Sequence, residues 1–185
     1  MIILDNLGRF QRGRIWINDV PEIKYKEINK LTSAVEVKEI INMKPCRMAL
    51  ELLLSRRDIS NYAFLGVKYT PNKEKNLNIS VYVSEDEGEI LDDNIAMKSD
   101  NVFIGIPNEY AETVLSTANK VIEGLPQFSS GNLEFYIGAH GEVGSSKLSF
   151  SKVTELIIKL LVIEPEGIKS LNQIEELISN ESLVV

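Results

Sequence analysis

A glycine-rich stretch near residue 140 holds the side chains of this chain that could do chemistry. Residues 138–146 read Gly-Ala-His-Gly-Glu-Val-Gly-Ser-Ser and include the only histidine among 185 residues. Glycines let backbone N–H groups approach a phosphate, and serines can donate to it or cap a helix. His140 has no partner nearby except Ser145 and Ser146, so an exposed histidine is a simpler interpretation than a catalytic one.

The flanking residues predict a strand before this stretch and a helix after it. Leu133, Phe135 and Ile137 alternate with Glu134 and Tyr136, as in a strand, and residues 150–161 carry apolar side chains at helical spacing. A strand, a glycine-rich loop and a helix in succession expose backbone N–H groups at a helix N-terminus. We therefore expect this loop to make the main ligand or partner contact.

The composition excludes several classes of protein. The formal net charge of −7 repels nucleic acid and anionic membranes, so we expect no general nucleic-acid binding. No apolar run reaches the roughly 20 residues of a membrane helix. The start of the chain lacks the pattern of a signal peptide, and a single cysteine, Cys46, cannot form an internal disulfide, so we expect a cytoplasmic location. One histidine and one cysteine cannot build a zinc site.

The first 60 residues predict an extension made of short strands and two helices. Glycine and proline separate the strand-like runs, and apolar residues at helical spacing follow them. The expected strands are 1–4, 14–18 and 23–28, and the expected helices run from 32 or 33 through 43 and from 46 to about 57.

From residue 61 onward the pattern is three strands, a helix, a strand and a helix. Residues 64–70 and 77–84 should pair as a hairpin through the loop 71–76, and residues 101–105 form the third strand. Placing both helices on one face of the sheet buries their apolar stripes, which gives an α+β two-layer sandwich. The acidic residues between 85 and 93 lack the ligand spacing of a calcium hand, so we expect a solvated loop and no metal. A final helix is expected at 171–179.

Two motifs in this part resemble domain IV of elongation factor G and of the related ribosomal protection proteins. Residues 106–110, Ile-Pro-Asn-Glu-Tyr, are similar to the I-P-x-E-Y signature that opens a helix in that domain. Residues 141–150, Gly-Glu-Val-Gly-Ser-Ser-Lys-Leu-Ser-Phe, resemble the H-E-V-D-S-S-x-x-A-F segment that follows after a strand. The resemblance implies the ribosomal protein S5 domain 2-like fold, with a β-β-β-α-β-α core. The implied division is an N-terminal strand/helix extension at 1–60, the core at 61–163 and a C-terminal helix at 164–185.

The chain departs from this family at defined positions. The family's histidine falls on Gly141 and its aspartate on Gly144, and the counterpart of its glycine-rich first loop, 71–76, contains no glycine. No Gly-x-x-x-x-Gly-Lys-[Ser/Thr] phosphate loop occurs, so the chain is not a GTPase. In the family, two loops at the tip of the domain reach the decoding region and transfer RNA. The resemblance places His140, Gly141, Glu142, Gly144, Ser145 and Ser146 in one loop, and Asn72, Lys73 and Lys75 in the other.

The resemblance implies a noncatalytic binding protein that contacts the ribosome, its RNA or another translation component, with no cofactor. One alternative is an immunity-type protein for a basic protein partner, since acidic proteins can neutralise basic ones by electrostatic complementarity. Another is a nucleotide-binding enzyme, because residues 141–146 also resemble the G-x-G-S-S core of the phosphate loop in kinases of the galactokinase and mevalonate kinase type. In that case Glu142 would place a negative charge beside the phosphates.

Overall fold

The computed structural model describes residues 1–8, 11–37, 43–54, 61–125, 128–163 and 174–178. These residues form a mixed protein with one large sheet and helices, so the predicted α+β class is confirmed. The strands are β1 Ile2–Leu4, β2 Gln11–Ile17, β3 Asn29–Glu36, β4 Cys46–Leu54, β5 Tyr62–Pro71, β6 Asn76–Val83, β7 Val102–Ile104 and β8 Gly131–Gly141, and the long helices are α1 Asn108–Gly124 and α2 Lys147–Val162.

All the described strands belong to one sheet in the order β1-β2-β4-β5-β8-β6-β3. β7 pairs with the last residues of β8, beyond the part of β8 that pairs with β6. Neighbours are antiparallel except β6 and β8, which are parallel. The strands before residue 55 therefore extend the same sheet as the later ones.

The two helices predicted in the first 60 residues are wrong, because both regions form strands. β4 has buried side chains on both faces: Met48, Leu50 and Leu52 face the helices, whereas Ala49 and Leu53 face the other side. A strand buried on both faces reads as a continuous apolar run, and periodicity alone cannot distinguish such a run from a helix. The parts of these predicted helices at 38–42 and 55–57 lie outside the described residues.

The expected hairpin between β5 and β6 is also wrong. β8 lies between them, antiparallel to β5 and parallel to β6. The loop 72–75 therefore crosses the start of β8, over two strand spacings of about 4.8 Å each. In this position the apolar strand β8 has a hydrogen-bonded neighbour along both of its edges. The predicted strand at 23–28 forms no strand either; it follows Pro21 and contacts the sheet through side chains such as Ile23 and Tyr25.

The core consists of two apolar layers, one on each face of the sheet. Both helices pack on one face, where Tyr110 of α1 stacks on Phe150 of α2 with ring centroids 4.3 Å apart. The opposite face, called the outer face below, packs against residues from the 84–101 segment such as Ile95 and Ala96. None of the helices in the described ranges is long and apolar enough to cross a membrane.

The ends of the helices follow the capping chemistry of their sequences. Pro107 precedes α1 and Glu109 lies in its first turn, where the helix dipole favours an acid. Ser146 caps α2. Of the predicted C-terminal helix, the described residues 174–178 are helical, and the rest lies outside the described part. Glu175 accepts hydrogen bonds from the backbone N–H groups of Asp5 and Asn6, which ties this helix to the N-terminus.

Candidate functional site

The glycine-rich loop is held by the carboxylate of Asp100, which immediately precedes β7. Oδ1 of Asp100 accepts a hydrogen bond from the N–H of Val143 at 3.0 Å, and Oδ2 accepts one from the N–H of Gly144 at 2.9 Å. Successive backbone N–H groups of this kind form an anion-binding concavity. Here an acidic side chain of the protein itself occupies the position that a phosphate would take.

The same carboxylate explains why glycine stands at position 141. A Cβ atom built on Gly141 would overlap Oδ2 of Asp100. The histidine of the elongation factor G segment therefore has no room at this position unless Asp100 moves. The departure at Gly141 and the presence of Asp100 are two parts of one local arrangement.

The serines of the loop make structural hydrogen bonds. Ser145 Oγ donates to the carbonyl oxygen of Tyr62 at 2.7 Å and accepts from the N–H of Gly141 at 2.8 Å. Ser146 and Ser149 form a reciprocal capping box, in which each side chain accepts from the other's backbone N–H at 3.1 and 3.0 Å. These hydroxyls attach the loop to β5 and start α2.

His140 lies inside β8 and is only 6% exposed, so the expectation of an exposed histidine is wrong. Its Nε2 donates to the main-chain oxygen of Asp86 at 2.9 Å, and its Nδ1 has no hydrogen-bond partner within the described residues. The rings of Phe103 and Tyr110 flank it. Burial lowers the pKa of His140 from its ordinary value of 6.5, although the bond to Asp86 opposes this shift. The imidazole is therefore a neutral internal group.

Four side chains of the loop and of the first turn of α2 remain on the surface. We call them the β8–α2 tip: Glu142, Val143, Lys147 and Leu148. Val143 is 84% exposed, more than any other large apolar side chain of the described residues, and Leu148 is 57% exposed. Of these four side chains, Glu142 was expected at the site from the sequence and the other three were not. A β-branched residue between two glycines of a turn was the available signal, because the turn itself does not need one.

The second predicted loop lies at the opposite end of the sheet. Pro71 pairs with Gly131 at the start of β8, whereas the β8–α2 tip follows Gly141 at its end. Eleven residues of strand separate the two ends by about 35 Å. Lys73 and Lys75 are exposed there, and Asn72 Oδ1 accepts from the N–H of Glu74. The expectation that Asn72, Lys73 and Lys75 share one tip with the glycine-rich loop is therefore wrong for a single copy of the chain.

A buried ionic cluster on the outer face escaped the sequence analysis. Glu51 is fully buried in β4 and accepts hydrogen bonds from Arg14 Nε at 2.6 Å, Tyr62 Oη at 2.8 Å and the N–H of Ile95 at 3.0 Å. Arg14 also bonds to the side chain and main chain of Asp93. Burial and the neighbouring Glu51 raise the pKa of Tyr62 well above its ordinary value. The cluster fastens the 84–101 segment to the sheet, so it is structural.

A cleft of about 730 Å³ lies on the outer face between residues 18–27 and the strands. Its walls carry both signs of charge, including Arg47, Lys68 and Glu134. Tyr82 Oη donates to Glu134 at 2.8 Å, so part of this polar surface is already internally paired. Such a lining selects no single class of ligand.

No protein-family model matches the sequence, and no curated protein matches it either. Within the described ranges, no group of three or more histidine, cysteine, aspartate or glutamate side chains could hold a metal ion. The contacts of the β8–α2 tip are therefore the basis on which a function is proposed.

Proposed function

We propose that this chain is a noncatalytic binding protein that contacts a component of the translation apparatus through the β8–α2 tip. One observation carries the proposal: Asp100 occupies the backbone N–H groups of the glycine-rich loop, while Val143 and Leu148 project from it into solvent. The loop is thus rigidly built and presents apolar contact area, as a binding surface does.

The polar residues of the loop have structural partners instead of catalytic ones. The imidazole of His140 is buried, and the hydroxyls of Ser145 and Ser146 are engaged with the backbone. A catalytic base or nucleophile must be within hydrogen-bond reach of a substrate, and these groups face the protein. Glu142 and Lys147 at the margin of the tip add opposite charges that can orient a partner without raising general affinity for nucleic acid.

The translation partner rests on the resemblance at residues 106–110 and 141–150, whereas the proposed cytoplasmic location rests on the missing signal-peptide pattern and the single cysteine. The first motif opens α1 and the second joins β8 to α2. The order of elements between residues 62 and 162, three strands, a helix, a strand and a helix, is also that of the ribosomal protein S5 domain 2-like fold. These points support a domain IV-like module whose tip contacts ribosomal RNA or protein.

The test is co-sedimentation of the purified chain with purified ribosomes at low and moderate salt. The variant Val143→Glu/Leu148→Glu should reduce binding at least about tenfold, because charge replaces the apolar contact area. Ile163→Glu is the matched control, since Ile163 is 46% exposed but follows the far end of α2, about 22 Å along the helix from Leu148. It should bind like the unaltered chain, and circular dichroism should show all variants folded.

Two results would overturn parts of this proposal. Absence of ribosome binding by the unaltered chain at low salt would remove the translation partner. Equal binding by the tip variant and the unaltered chain would remove the tip as the surface. Lys73→Glu/Lys75→Glu reports on the opposite end of the sheet, and we expect a smaller effect from it because that loop lies about 35 Å from the tip of the same copy.

A second candidate is a basic protein partner, favoured by the exposed acidic run between β6 and β7. All its carboxylates face solvent: Glu85, Asp86, Glu87, Glu89, Asp92 and Asp93. Affinity capture from cell lysate would then retain a basic protein instead of ribosomes, and Glu87→Gln/Glu89→Gln would lose it in low salt. Retention unchanged in that variant would exclude the acidic run as its binding surface.

A further inference from the structure

The strand β3 ends the sheet, and its outer edge pairs with no strand in the part of the chain that the structure describes. It is eight residues long, whereas β1 at the other end of the sheet has three. Long edges with unpaired backbone groups attract another strand unless proline, a bulge or inward charge blocks them. β3 contains no proline, and its register with β6 runs without a bulge from Asn29 to Glu36.

The register shows which backbone groups of β3 point outward. The N–H of Val37 donates to the carbonyl of Lys75, which continues the pairing of Glu36 with Asn76. In an antiparallel ladder, bonded pairs alternate, so the odd-numbered residues of β3 bond to β6. Lys30, Thr32, Ala34 and Glu36 therefore direct their N–H and C=O groups to the open edge. In agreement, the N–H of Lys30 bonds to the side chain of its neighbour Asn29 and not to β6.

This alternation limits how a second copy of β3 could add to the edge. Outward groups must meet outward groups, so an antiparallel, two-fold pairing must join even-numbered residues to even-numbered ones. The register centred on Ser33 places Lys30 opposite Glu36 of the second copy, twice. Registers centred on Thr32 or Ala34 place no opposite charges against each other.

The Ser33-centred register also matches the two faces of the strand. Leu31 and Val35 lie on the helix side, partly buried against the core. In this register Leu31 of each copy lies opposite Val35 of the other copy. Thr32 meets Ala34 on the outer face, where both are exposed. Opposite charges and apolar pairs directly across strands each stabilise a sheet. Every pair in this register is thus compatible in charge and in burial.

We propose that two copies of this chain associate through their β3 edges, antiparallel, with a two-fold axis at Ser33. The two sheets then form one continuous sheet, and the helices of both copies lie on the same face because the axis is perpendicular to it. The interface is isologous, so one charge change alters both Lys30–Glu36 pairs at once.

The test is the mass of the full chain in solution, by sedimentation equilibrium over a range of concentrations. The unaltered chain should approach twice its mass of 20.8 kDa. Lys30→Glu and Glu36→Lys should each raise the dissociation constant about tenfold, because each places like charges opposite one another at two positions. The double variant Lys30→Glu/Glu36→Lys restores the opposite pairs and should restore the dimer.

A backbone variant tests the edge itself. Ala34→Pro removes an outward N–H that takes no part in the ladder with β6, so it should give a folded monomer whose melting temperature no longer depends on protein concentration. Lys73→Glu is the matched control for Lys30→Glu, since it makes the same charge change on an exposed loop and should leave the dimer intact. A chain that stays monomeric at millimolar concentration overturns the proposal. So does a dimer that survives Ala34→Pro, or a double variant that fails to recover.

Discussion

Replacing Asp100 by alanine tests the arrangement on which the proposed function depends. The substitution removes the acceptor of two backbone N–H groups, those of Val143 and Gly144. Val143 is exposed, so water can replace the lost bond there, whereas Gly144 is buried and its N–H would lose a partner. The loop should therefore loosen at Gly144 first.

The magnitude follows from these two bonds. A hydrogen bond to a charged acceptor contributes about 1.5–3 kcal/mol when buried, and less when water competes. With one bond exposed and one partly buried, we expect Asp100→Ala to lower the free energy of unfolding by about 2–3 kcal/mol. For a chain of this size that corresponds to a melting temperature lower by about 5–10 °C.

Urea denaturation followed by circular dichroism measures the loss, with Asp92→Ala as the control because Asp92 is exposed in the acidic run. The variant also frees an anion-binding concavity, so sulfate should raise the melting temperature of Asp100→Ala more than that of the unaltered chain at equal ionic strength. A variant as stable as the unaltered chain, with no gain from sulfate, would refute the role assigned to Asp100.

Two further predictions concern buried ionisable groups. Glu51→Leu should cost about 3–5 kcal/mol of unfolding free energy, because it leaves the buried Arg14 without its main partner; adding Arg14→Met should recover part of that loss in the same urea assay. Because burial lowers the pKa of His140 below 6.5, the unfolded chain takes up that proton first as the pH falls. Stability should thus decrease below about pH 6.5, and His140→Gln should flatten the decrease between pH 7.5 and pH 5. An identical slope in the variant would show that other groups cause it.

The sequence predicted both long helices. α1 and α2 each bury one stripe, so helical periodicity is visible in them, and proline and serine mark where they begin. The strand β4 was predicted as a helix because both of its faces are buried and its sequence consists largely of the helix formers Met, Ala, Leu and Glu, whereas the equally buried β5 is rich in Tyr, Phe and Val. The strand β3 was predicted as a helix because the run from Thr32 onward combines a capping residue with Val35 and Val37. This pattern fits a helix locally, although the segment pairs with β6 as a strand. Local pattern cannot reveal a partner that lies more than 40 residues away.

The candidate site was found only in part for the same reason. The glycine-rich loop stands out in the sequence, but Asp100, which organises it, lies 43 residues before Val143, the first of the two residues it binds. The pairing of Val102 with Gly141 brings the two together, and only the strand order shows that pairing. Likewise, the expectation that both loops meet at one tip came from the resemblance, whereas the pairing of Pro71 with Gly131 places the loop 72–75 at the opposite end of β8.

The proposed dimer would bring the β8–α2 tip of one copy nearer to the lysine loop of the other copy, residues 72–75. A two-fold axis perpendicular to the sheet makes the β8 strands of the two copies antiparallel, so the β8–α2 tip of one copy lies at the same edge as Lys73 and Lys75 of the other. Five strand spacings, about 24 Å, separate the two β8 strands. Because Ser33 lies level with Leu133, the tip also lies about 20 Å farther from the axis along the strands than the lysine loop of the other copy. One large partner can bridge the resulting distance of about 30 Å. The two loops that the resemblance assigns to one binding end would then act together across the dimer. It follows that Lys73→Glu/Lys75→Glu should weaken partner binding only where β3 edges are paired, and should have no effect in the Ala34→Pro background.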